Sequence, residues 1–208
     1  MSSDSNLNTK FPLWAPRPVE ETLDIYANWA ASYDDDLAEA GYETPHRIAA
    51  ALAKFTTPDA RILDFGCGTG LSGQALQMAG FTNLDGIDIS APMLDKAKIR
   101  NIYSRLWQGQ PGEMTGITAG QYNVIVAAGV VSLGAAPPET LSMIIDHLAQ
   151  EEGLIGLSFN DPTLDHGSYE AVLDQEISLD RVRTLSCTHG PHLRQQKMGS
   201  NVIVLQRL

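Results

Sequence analysis

The segment Ile62-Leu63-Asp64-Phe65-Gly66-Cys67-Gly68-Thr69-Gly70 constrains this chain more than any other. It opens on an apolar run that reads as a buried strand, passes three alternating glycines, and leads into a helical pattern from Leu71. Alternating glycines are costly in backbone entropy. They mark a place where the chain turns tightly, or where another molecule approaches without a Cβ in the way. A strand-glycine-helix turn belongs to an α/β sheet, and nucleotide-type ligands bind in the crevice beyond the carboxyl ends of such strands.

The rest of the chain continues the alternation. Hydrophobic patterning predicts strands over 61–65, 84–89, 104–108, 122–128, 153–159, 181–187 and 201–206, with helices over 71–79, 92–101, 139–150 and 168–176. Strands separated by helices give a parallel sheet with right-handed crossovers. The closing pair has no helix between its members and is expected to be an antiparallel hairpin. Ahead of the first strand, a helical pattern from Glu20 to Ala40 is interrupted at Asp34-Asp35-Asp36 and stops at Gly41. A second helix runs from Pro45 to Lys54, with Thr44 as its cap. Residues 1–18, with Pro12, Pro16 and Pro18, read as a flexible tail. Residues 19–208 read as one α/β domain, in which 19–56 form N-terminal helices.

Composition narrows the partners. The net charge is −11, and no cluster of Lys and Arg offsets it, which argues against nucleic acid. The two cysteines, Cys67 and Cys187, show no metal-ligand spacing and fit a reducing compartment without disulfides. No secretory apolar run follows Met1, and runs such as Val124 to Ala128 are far too short to span a bilayer. A soluble cytoplasmic protein with no membrane partner and no metal is the expectation. The oligomeric state is open.

Two acidic residues bear on the ligand, and the first of them separates the candidates. Gly68 to Gly73 satisfies the dinucleotide pattern G-x-G-x-x-G by count. The frame starts late, however, and Asp64 at the strand tip is unwelcome beside a pyrophosphate. Further on, Gly86-Ile87-Asp88-Ile89-Ser90 puts a carboxylate at the tip of the second strand. That is the position from which an acid binds ribose hydroxyls, about 20 residues past the glycines. Two acceptor oxygens suit a vicinal diol, and this serves NAD and adenosyl ligands alike. Ser90 is the better-placed cap for the following helix.

At these residues, together with Pro92-Met93-Leu94 and Ala97, the chain resembles the class I S-adenosylmethionine-dependent methyltransferases. The resemblance runs from about Tyr26 to Leu208. More loosely, Tyr33-Asp34 through Gly41-Tyr42 and Pro45 is similar to the methyltransferase-like proteins of the Williams–Beuren region group. It implies a Rossmann-like, mostly parallel seven-stranded sheet with an antiparallel C-terminal hairpin and an N-terminal helical lid. The implied cofactor is S-adenosyl-L-methionine. Asp64 would meet its amino group, directly or through water. Phe65, Gly66, Cys67 and Gly68 would form the close-approach turn, and Asp88 would take the ribose. Ile89 and Met93 would pack near the adenine, and Ala128 and Gly129 would border the methionine moiety. Tyr26, Trp29 and Tyr33 would lie over the cofactor, although their spacing equally fits a helix core. The acid often found after the third strand is not evident; Gln108 stands nearby and Trp107 could stack on the base.

Methyl transfer is an in-line displacement in which positioning can account for about 7–11 kcal/mol of barrier. A general base is needed only for an acceptor that binds protonated. His46, His147, His166, His189 and His192 are the candidates, His147 reading as structural; no catalytic residue is assigned. Asn160-Asp161-Pro162 follows the wrong strand to be an amino-methyltransferase signature. Cys67 reads as a small residue filling the turn, and the aspartate run as a solvated cap. The expected function is methyl transfer to a small-molecule acceptor. An NAD-dependent oxidoreductase and a non-catalytic cofactor-binding regulator are the alternatives.

Overall fold

The computed structural model describes Leu7, Phe11 and residues 13–208. Seven strands, β1 (Ile62–Phe65), β2 (Leu84–Asp88), β3 (Arg105–Gln108), β4 (Val124–Ala127), β5 (Leu154–Asn160), β6 (Val182–Leu193) and β7 (Met198–Arg207), form one sheet in the order β3-β2-β1-β4-β5-β7-β6. The first five are parallel, and β7 runs antiparallel to both β5 and β6. Strand order reverses between β1 and β4, so the crevice opens where these two strands end.

Successive residues of a strand face opposite sides, and both sides here are apolar. Leu63, Ile125, Ala127 and Ile155 pack with α6 (Thr140–His147) and α8 (Ser168–Ser178). Ile62, Val124, Val126 and Leu154 pack with α3 (Thr44–Leu52) and α4 (Leu71–Met78). Burial on both faces is why β4 is a continuous apolar run.

The N-terminal helices are α1 (Val19–Trp29) and α2 (Tyr33–Ala40). The break falls at Ala30 to Ser32, not at the aspartates. Asp34, Asp35 and Asp36 instead make the first turn of α2, where negative charge suits the helix dipole. Gly41, left-handed at φ 72°, ends α2. Thr44 is not the cap of α3: it lies inside the helix, and its hydroxyl turns to His192 Nδ1 (2.8 Å) and Ser200 Oγ (3.1 Å). Of the expected tail, residues 1–6, 8–10 and 12 lie outside the described residues. Leu7, Phe11, Leu13 and Trp14 pack in a cluster with Trp29.

Two further elements differ from expectation. β6 continues through the polar stretch to Leu193, with irregularities between Thr184 and Ser186 and between Pro191 and Leu193. As an edge strand it needs no apolar outer face, and a bulge tolerates Pro191. Asp161–His166 is a short helix, α7; Asn160 caps it by accepting the Thr163 N–H at 3.1 Å. Ala91–Arg100 forms α5. Among the described residues, no helix is long and apolar enough to cross a membrane.

Candidate active site

The carboxyl ends of β1, β2 and β4 border a cavity of about 630 Å³. Phe65, Gly66 and Gly68 line it from the turn after β1, Asp88, Ile89 and Met93 from the β2–α5 junction, and Ala128 and Gly129 from the end of β4. Leu23, Tyr26 and Tyr33 enclose it from α1 and α2. The remaining wall is largely apolar and includes Leu133, Ala135, Pro137, Met143 and Tyr169.

The turn wraps tightly over β2. The N–H groups of Gly66 and Cys67 both donate to the Ile87 carbonyl, at 2.8 and 3.0 Å. Gly66 adopts φ 70°, and a Cβ there would sit 2.4 Å from Val130 Cγ2. Glycine is required at this point on both counts.

Asp64 is fully buried. One carboxylate oxygen accepts from the Ser72 and Tyr103 hydroxyls, each at 2.6 Å. The other has no hydrogen-bond partner among the described residues. Burial pushes its pKa up to about 6 against the two hydroxyl donors. Tyr103 reaches Asp64 because two glycines leave room: a Cβ on Gly73 would meet its hydroxyl at 2.3 Å, and one on Gly86 its ring at 3.0 Å. The last glycine of the apparent dinucleotide pattern therefore accommodates a tyrosine.

Asp88 joins the turn to α5. Its oxygens accept from the N–H groups of Gly68 and Ser90, both at 2.8 Å. Burial raises its pKa, and those same donors oppose the rise. Ser90 occupies the N-cap position, but its hydroxyl makes no capping bond. The buried Ser90 Oγ is unpartnered among the described residues, and Ser90 borders the cavity.

Ten of the thirteen expected residues thus share one cavity: Tyr26, Tyr33, Phe65, Gly66, Gly68, Asp88, Ile89, Met93, Ala128 and Gly129. Trp29, Asp64 and Cys67 are buried behind it. Trp29 packs edge-on against Tyr33, with ring centroids 4.6 Å apart, and its Nε1 donates to Asp36 at 2.6 Å. Cys67 has its thiol pKa pushed well up by burial, with Asp64 and Asp88 adding to the rise. Tyr26 lines the cavity beside Tyr33. Trp107 and Gln108 turn elsewhere, donating to the carbonyls of Thr115 (2.9 Å) and Ile89 (3.0 Å). The loop from Gly109 to Glu113 borders the cavity in their place.

Among the described residues, His166 is the one imidazole in the wall, with Nδ1 2.8 Å from Ser168 Oγ. His147 bonds the Met143 carbonyl within its helix, and His189 pairs with Asp161. His192 is buried, and burial depresses its pKa to about 4. Tyr103 and the walls from Gly109 and Leu133 had no individual sequence signal, because their roles arise only on folding; in the sequence, Ser90 reads as a helix cap and not as part of the wall.

A family model described as a methyltransferase domain matches residues 37–199. Methyltransferase-like protein 27 of Homo sapiens is 30% identical over 177 residues, covering 83% of this chain and 70% of that protein. A TehB-like SAM-dependent methyltransferase from Corynebacterium glutamicum superposes with a TM-score of 0.65 at 22% identity, covering 89% of this chain and 100% of that one. Magnesium protoporphyrin IX methyltransferase from Synechocystis PCC 6803, solved with bound SAM, gives 0.61 at 19% identity, covering 81% and 80%.

Proposed function

The chain belongs to the class I S-adenosylmethionine-dependent methyltransferases, and from that premise we propose that it methylates a small, largely apolar molecule held beside the cofactor in the cavity behind α1 and α2. One observation carries this reading: most of the residues assigned to the cofactor, with Asp64 buried just behind them, and an apolar second wall line the same space of about 630 Å³. A cavity of this size and lining is typical of small-molecule sites. The net charge of −11 weighs against a nucleic-acid acceptor.

The residues present fit S-adenosylmethionine. The buried Asp64 has one oxygen without a partner, and an ammonium would satisfy it directly or through water. A pyrophosphate there would meet like charge, which disfavours NAD. Asp88 retains accepting capacity for the ribose diol beside its two backbone donors. The unpartnered Ser90 hydroxyl gives the nucleoside a further contact. Ile89 and Met93 supply apolar surface for the adenine, and the Gly66–Gly68 turn lets the methionine part lie against bare backbone.

The cofactor brings a methyl group already activated on a sulfonium. What the chain must do is hold the acceptor in line and keep water out. Tyr26 and Tyr33 close one side, and Leu133, Met143 and Tyr169 give the acceptor an apolar seat. Where the acceptor arrives protonated, His166 and Glu113 are wall residues able to take the proton.

The test is S-adenosylhomocysteine release during incubation with S-adenosylmethionine and three acceptor sets: small neutral aromatics, total RNA and a protein lysate. Turnover is expected with small molecules and none with RNA. Release confined to RNA or protein would overturn the small-acceptor reading and leave the cofactor assignment standing.

A further inference from the structure

Arg100, the last residue of α5, lies along the outside of the glycine turn. Its Nε donates to the Thr69 carbonyl at 2.7 Å, and its Nη1 to Gln74 Oε1 of α4 at 2.8 Å. Its Nη2 pairs with Asp34 of α2. The other Asp34 oxygen accepts from the Thr69 hydroxyl at 2.5 Å. The arginine is seated so close that a Cβ on Gly70 would come 2.9 Å from its Cδ. One guanidinium therefore ties together the turn, α4 and α2.

These groups stand outside the cavity, yet each end of the arrangement adjoins it. Asp34 directly follows Tyr33, and Thr69 directly follows Gly68; both Tyr33 and Gly68 line the cavity. The aspartate run also divides its labour. Asp34 reaches the turn, Asp36 holds Trp29 Nε1 and the Ser32 hydroxyl, and Asp35 is exposed.

We propose that Asp34, Thr69 and Arg100 form a latch that positions the cofactor-binding turn against α2 and sets how fast the cofactor product leaves. This rests on the methyltransferase reading of the cavity. Moving α2 away from the turn requires breaking the ion pair and the Thr69 bond together. The pair is partly shielded, with side-chain exposures of 19% for Arg100 and 39% for Asp34, so water and salt screen it less than an open surface pair. The planar fork of arginine spans carbonyl and carboxylate at once, which the point charge of lysine cannot do.

Stopped-flow release of S-adenosylhomocysteine, with calorimetric affinity and melting temperature measured alongside, tests the latch. Asp34→Asn and Arg100→Gln should each release the product about tenfold faster, because truncating a shielded charge pair acts mainly on dissociation. The double variant should be no faster than the faster single. Arg100→Lys should remain fast, and Asp35→Asn should match wild type. Thr69→Val, which removes one hydrogen bond and no charge, should also speed release, and it serves where a charge variant folds poorly. Wild-type release rates in the single variants, or effects that multiply in the double, would overturn the latch while leaving the cofactor reading intact. Wild type that binds no S-adenosylhomocysteine would overturn the cofactor reading, and the latch with it.

Discussion

Asp64 is buried as a carboxyl whose pKa stands at about 6 against an ordinary value of 3.8. Between those values the folded protein holds a proton that the unfolded chain has released. Asp64 therefore favours folding most below the lower value, and its contribution falls as pH rises through 6. An ammonium partner needs the ionised form, so binding at low pH must first expel the proton. Affinity for S-adenosylhomocysteine should weaken by up to about tenfold per pH unit below 6. Asp64→Asn should bind weakly at every pH, without that break. Calorimetry in buffers of different ionisation enthalpy reads the released proton directly. The Tyr103 hydroxyl lowers the pKa of Asp64, so Tyr103→Phe should move the break to higher pH. Asp64 and Asp88 were legible in the sequence because each stands at the tip of a strand pattern, two residues from a glycine. Tyr103 was not: it arrives from 39 residues away, through space that Gly73 and Gly86 leave open.

At the scale of elements, the glycine turn and the loop after β4 interlock. Gly66→Ala would put a methyl 2.4 Å from Val130 Cγ2 at a left-handed φ of 70°. Strain and overpacking each cost about 1–3 kcal/mol, so the variant should melt earlier and lose S-adenosylhomocysteine binding. Val130→Ala added to it relieves the clash but not the backbone strain. The pair should recover part of the melting temperature and little of the affinity. Full recovery would mean that the turn tolerates a side chain. The strands around this turn were readable because burial on both faces leaves only Val, Ile and Ala in β4. The outer half of β6 was not, since an edge strand facing water has no apolar alternation to display. Asn160-Asp161-Pro162 did carry a readable signal, a capping side chain followed by proline in the first turn; weighing it only as a catalytic signature obscured α7. The placement of the break before α2 was hidden for a related reason. Consecutive aspartates suit a helix's first turn as well as its interruption, and only the contacts of Asp34 and Asp36 decide which.

Across the whole molecule, 25 acidic residues face 14 basic ones, and a net charge of −11 repels itself in the compact state. Salt screens that repulsion, with a Debye length of about 10 Å at 0.1 M and about 3 Å at 1 M. Raising sodium chloride from low concentration to 0.5 M should therefore raise the melting temperature, by about 2–4 °C for each kcal/mol of repulsion removed. The same salt weakens the Arg100–Asp34 attraction, so release of S-adenosylhomocysteine should quicken as the fold stabilises. Opposite signs are the informative outcome. A general loosening of the protein would lower the melting temperature and speed release together. Non-specific tightening would raise the one and slow the other. Only local attraction between α2 and the turn, set within global repulsion, separates the two responses. In Asp34→Asn the stabilising effect of salt should persist while its effect on release disappears, because the repulsion belongs to the whole surface and the attraction to one pair.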